Sequence, residues 1–68
     1  MINSAKLRGR IVEKYTTQTA FANAIGMLPQ SVSMRLTGVT EFSREDIFTW
    51  CKALDIPTSE IGDYFFAE

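Results

Sequence analysis

The sequence predicts an all-α domain of five short helices, and three observations carry that expectation. Apolar residues recur at helical spacing, as in Leu7, Ile11 and Tyr15 or Ile47, Cys51 and Leu54, and no segment has the alternating, β-branched character of a strand. Glycine or proline stands where each apolar register breaks, at Gly26, Gly38 and Pro57. Between residues 18 and 38, two helical stretches share small and apolar positions that fit one crossing: Phe21, Ala22, Ile25, Val32 and Leu36.

The first helix is expected from about residue 4 to residue 15, with Leu7, Ile11 and Tyr15 on one face and Val12 beside them. Lys6, Arg10 and Lys14 spread over its other faces. Thr16 and Thr17 interrupt it, and Thr17 suits the N-cap of the next helix because its hydroxyl can accept a free backbone N–H. That second helix runs over about 18–25 and stops at Gly26, which can take the positive φ of a sharp exit. Met27 and Leu28 form the turn. Pro29 opens the third helix, in the turn where a missing N–H has no helical partner to lose. This helix reaches residue 36 or 37 and ends at Gly38. A loop over 38–42 follows, anchored by Phe42. Ser43 is the expected N-cap of a fourth helix, with Asp46 in the capping-box position. The fourth helix covers 44–54, placing Ile47, Cys51 and Leu54 inward and Phe48 or Trp50 on the flank. Pro57 ends that register, and Thr58 caps a last short helix to about residue 66.

Sixty-eight residues form one domain over 1–68, with no room for a second core. One cysteine excludes an internal disulfide, and without histidine a zinc site of the usual ligands cannot be assembled. Cys51 reads as a small buried hydrophobe rather than a nucleophile. No apolar run resembles a signal peptide or a membrane span, so the expected setting is the cytoplasm. There is no phosphate-cradling glycine loop and no room for a substrate cleft, so no enzyme, metal, cofactor or small-molecule ligand is expected. Net charge is −1, but its distribution is uneven. Residues 1–38 carry Lys6, Arg8, Arg10, Lys14 and Arg35 against Glu13, a net +4, whereas residues 39–68 sum to −5. A basic half can meet phosphates while the acidic half faces away; the same charges can also simply solvate helix faces.

A pair of helices with a small residue at the crossing, glycine at the bend and a polar outer surface on its second helix meets the needs of a helix-turn-helix, here at about 17–38. The positions Gln18, Phe21-Ala22, Ile25-Gly26, Val32-Ser33, Leu36 and Gly38 resemble the Xre-type helix-turn-helix family, which includes phage repressor and Cro-like proteins. The likeness extends through the phenylalanine-containing loop and the tail ending in Tyr64-Phe65-Phe66. It implies a compact lambda-repressor-like domain with helices two and three as the helix-turn-helix.

The resemblance also implies roles. Pro29, Gln30, Ser31 and Met34 fall where the family reads bases; Gln30 suits the adenine edge best, and Met34 could pack on a thymine methyl. Gln18, Thr17, Ser33, Arg35, Thr40 and Arg10 are the expected phosphate contacts. Pro29 departs from the pattern, since many relatives carry a polar reader there, and that shifts weight to Gln30, the 38–40 loop and DNA shape. Trp50, Tyr64 and Phe66 are candidate dimer contacts, because adjacent Phe65 and Phe66 cannot both face one core. The expected function is a Cro-like regulator binding double-stranded operator DNA as a homodimer. The alternative is a protein-interaction module on the same scaffold, an antitoxin or antirepressor partner.

Overall fold

The computed structural model describes residues 2–66, and the helices fall where the apolar spacing places them. They are α1 (Ser4–Tyr15), α2 (Gln18–Ala24), α3 (Pro29–Leu36), α4 (Arg44–Leu54) and α5 (Ile61–Phe65). A 3-10 turn, Thr58–Glu60, leads into α5. The expected final helix is therefore two pieces: Pro57 occupies the cap position and Thr58 makes no side-chain cap bond.

The caps explain most of the boundaries. Asn3 Oδ1 accepts the Lys6 N–H at 3.0 Å to start α1, and Thr17 Oγ1 accepts the Ala20 N–H at 3.1 Å to start α2. Ser43 and Asp46 form the anticipated capping box on α4: the Ser43 hydroxyl takes the Asp46 N–H at 3.1 Å and the Asp46 carboxylate takes the Ser43 N–H at 3.0 Å. Gly26 and Gly38 adopt φ of 72° and 85°, the left-handed region that costs L-residues with a Cβ. Two further exits take a positive φ without glycine. Asp55 ends α4 at φ 54°, and Thr16 ends α1 at φ 74° while the Thr17 N–H reaches back to the Tyr15 carbonyl at 2.8 Å. The latter is a tight γ-turn with a β-branched residue at its strained centre.

Leu7 and Ile11 from α1, Phe21 and Ala22 from α2, Val32 and Leu36 from α3, and Trp50 and Leu54 from α4 are all buried in one core. A file of edge-on aromatic contacts runs through it. Phe21 meets Trp50 at 4.9 Å between centroids, Trp50 meets Phe42 at 4.7 Å, and Phe42 meets Phe65 at 5.1 Å. These T-shaped arrangements set positive ring edges against negative ring faces. Phe42 thus anchors the α3–α4 loop as its apolar character suggests. Trp50 is the keystone of the file, and among the described residues its buried Nε1–H meets no acceptor.

Burial overturns two expected dimer contacts. Trp50 and Tyr64 are core residues, because the space between Phe21 and Phe42 takes an indole and the α5 turn directs Tyr64 and Phe65 inward. Phe66 is the aromatic left outside, and Phe48, two residues before Trp50, is exposed in its place. Val12 is likewise exposed rather than part of the α1 core face.

Candidate functional site

Helices α2 and α3 and the turn at 25–28 hold most of the expected recognition residues on one continuous stretch of chain. Ala22 is fully buried at the crossing and its carbonyl accepts the Met27 N–H at 2.9 Å, which ties the turn to α2. Pro29 begins α3, and Leu28 before it has no side-chain oxygen to offer, so no side chain caps the first N–H groups of α3. Pro29, Gln30 and Ser33 are exposed, while Ser31 and Met34 are half-buried beside them. Thr17 and Gln18 sit together at the start of α2, Thr17 exposed and Gln18 half-buried. Thr40 is half-buried after Gly38, with its N–H bonded to the Met34 carbonyl at 3.1 Å.

Two residues of this neighbourhood escape sequence reasoning. Leu28 and Val39 are 70% and 71% exposed, flanking α3 at either end. Each lies in a non-helical segment, where periodicity gives no signal of which way a side chain points. Both leave apolar surface beside Gln30 and the 38–40 loop.

The two arginines assigned to phosphates are committed elsewhere. Arg35 Nε donates to Asp46 Oδ2 at 2.9 Å and Nη1 donates to the Ser31 carbonyl at 3.2 Å, with both side chains of the ion pair mostly buried. Burial would raise the Asp46 carboxyl, but the Ser43 N–H and the Arg35 guanidinium outweigh it and hold the group below its ordinary value. Arg35 therefore clamps α3 to the start of α4. Arg10 lies on α1 and caps the other end of α4: Nε donates to the Leu54 carbonyl and Nη2 to the Asp55 carbonyl, both at 2.8 Å, and Nη1 pairs with Glu13 at 3.3 Å. A cation at a helix C-terminus satisfies orphan carbonyls and opposes the negative end of the dipole. Lys14 adds a 3.0 Å bridge to Asp55. Three of the five cations in the basic half, Arg10, Lys14 and Arg35, are thus engaged with groups of the acidic half.

The α2–α3 surface is consequently poor in charge. From residue 16 to residue 40 the single ionisable side chain is Arg35, and that one is held by Asp46. Duplex affinity depends on cations replacing the counterions of phosphates. This face offers amides, hydroxyls and apolar side chains instead. Cys51 is buried on the core side of α4, and that burial pushes its thiol up, away from the reactive thiolate.

Residues 2–68 match the family described as protein of unknown function (DUF739). Among solved structures, the chain is similar to the solution structure of the modulator of repression (MOR) of the temperate bacteriophage TP901-1 from Lactococcus lactis. The two share 31% sequence identity and superpose with a TM-score of 0.85, over 96% of this chain and 88% of the other. No curated protein matches the sequence. The fold is that of a small phage regulator, and no helix among the described residues is long and apolar enough to cross a membrane.

Proposed function

The chain belongs to the DUF739 family, and we propose that it tunes repression in a phage-type regulatory circuit by docking its α2–α3 face on a partner repressor protein. The observation that carries this reading is the lack of an available cation on that face, where Arg35 is the sole ionisable side chain and is bound to Asp46. A neutral surface with exposed Leu28, Gln30 and Val39 suits a protein interface, whose centre is depleted of charge and rich in desolvated apolar contacts. The similarity to a modulator of repression supports the regulatory setting. The test is repression of a reporter by the cognate repressor, with and without the chain. Wild type shifts the level of repression, and Leu28→Ser, on an exposed position that does not support the core, abolishes the shift. A shift unchanged by Leu28→Ser and by Gln30→Ala overturns the reading.

Direct operator binding through α3 is the second reading, favoured by exposed Gln30 near the uncapped N-terminus of α3 and by Thr17 and Gln18 at the start of α2. In that case Gln30→Ala weakens operator binding by about 1–3 kcal/mol and relaxes one base position. Binding-site selection from random duplexes separates the two readings, since a protein-docking face enriches no sequence.

A further inference from the structure

Helix α4 carries a second surface that involves neither α2 nor α3. Its outer stripe consists of Arg44, Glu45, Phe48 and Lys52. Phe48 is 68% exposed and Phe66, just past α5, is 62% exposed. Between them lies a cleft of about 430 Å³ lined by Arg44, Ile47, Phe48, Ile61 and Phe66. Two large aromatic rings bordering one apolar cleft are more than the scattered exposed hydrophobics of an ordinary monomer surface.

The charges around Phe48 indicate what covers it. At 3.6 residues per turn, Glu45 and Lys52 lie about 60° and about 40° to one side of Phe48, and Arg44 about 40° to the other, the side of the cleft. Along the axis, Glu45 is about 4.5 Å before Phe48 and Lys52 about 6 Å after it. Suppose two copies of α4 cross antiparallel at Phe48, related by a two-fold axis perpendicular to both helices. The operation reverses direction and keeps each flank on its own side. Glu45 of each copy then stands level with Lys52 of the other to within about 1.5 Å along the axis, twice by symmetry. Arg44 stays on the opposite flank, away from the second copy's Lys52. Lys52 already leans inward, its Nζ 5.8 Å from the centroid of the Phe48 ring.

We propose that this chain forms a two-fold homodimer through antiparallel α4 helices. Phe48 and Phe66 supply the apolar centre, and reciprocal Glu45–Lys52 pairs fix the direction. The dimer is independent of what the α2–α3 face binds, so either idea can fail alone.

Sedimentation equilibrium of the full chain from micromolar to millimolar concentration tests it, using exposed substitutions that leave the core intact. Wild type self-associates to a dimer. Phe48→Ser raises the dissociation constant about tenfold or more, as expected for a central aromatic anchor. Glu45→Lys and Lys52→Glu each weaken self-association, and mixing the two variants restores a dimer, because the unlike chains regain both ion pairs. A wild type that stays monomeric throughout overturns the proposal. So does a dimer indifferent to Phe48→Ser and the charge reversals, which locates the interface elsewhere. A monomeric wild type whose binding to the repressor is lost on Phe48→Ser also overturns it and assigns the patch to a different protein.

Discussion

Arg10 and Arg35 are surface cations by composition and structural clamps by geometry, and their partners lie on other elements. Arg10 reaches carbonyls 44 and 45 residues further along the chain, a separation at which no local pattern announces a contact. Arg10→Ala should cost about 1–2 kcal/mol in a chemical denaturation, because it strands two carbonyls at the end of α4. It should leave the salt dependence of any nucleic-acid binding unchanged. Asp46 was legible in one of its roles: its place three residues after Ser43 marks the capping box, but its ion pair with Arg35 needed the fold. Asp46→Asn should destabilise by about 1–2 kcal/mol. The pH dependence has a definite sign. The lowered native pKa of Asp46 contributes stability that is complete above the unfolded value of about 3.9 and is lost as pH falls through the native one. Melts of wild type between neutral pH and pH values below the ordinary carboxylate range should therefore lose more stability than melts of Asp46→Asn. Equal losses would remove Asp46 from the acid response.

The helices themselves could be read from the sequence because apolar spacing, cap residues and glycine stops agree with one another at each boundary. Thr17, Ser43, Gly26 and Gly38 do in the structure what their chemistry favours. The exits at Thr16 and Asp55 could not be read so, since neither is a residue type that advertises a positive φ as glycine does. The four exits give a direct comparison. A Cβ at Gly38 would meet nothing within 4 Å, so Gly38→Ala isolates the conformational penalty and should lower stability by about 1 kcal/mol. Thr16→Gly should do the reverse, raising the melting temperature by relieving a strained centre worth on the order of 1 kcal/mol. Within α4, helical spacing left Phe48 and Trp50 as alternatives for the flank. What decides between them is the gap between Phe21 and Phe42, two residues on other elements that a one-dimensional period does not contain.

At the scale of the whole molecule, one aromatic-centred core holds five helices with overall extents of 26 × 24 × 21 Å, and two cross-element ion pairs, Lys14–Asp55 and Arg35–Asp46, join the basic half to the acidic one. The summed charge of residues 1–38 therefore exceeds the charge without a carboxylate partner, since Arg10, Lys14 and Arg35 all have carboxylate partners in the fold. The positions of Gln30, Ser31, Ser33 and Met34 on α3 were legible, and the electrostatic setting around them was not. The exposed apolar residues Leu28, Val39, Phe48 and Phe66 mark the two surfaces proposed above for partners. The most direct test of the account is the equilibrium affinity of the full chain for random-sequence duplex DNA, followed from low to physiological salt. A protein-docking regulator with a cation-poor α2–α3 face should bind duplex alone only weakly at low salt and show a shallow salt slope. Tight binding that falls steeply as salt rises would contradict it and restore α3 as a direct reader of DNA.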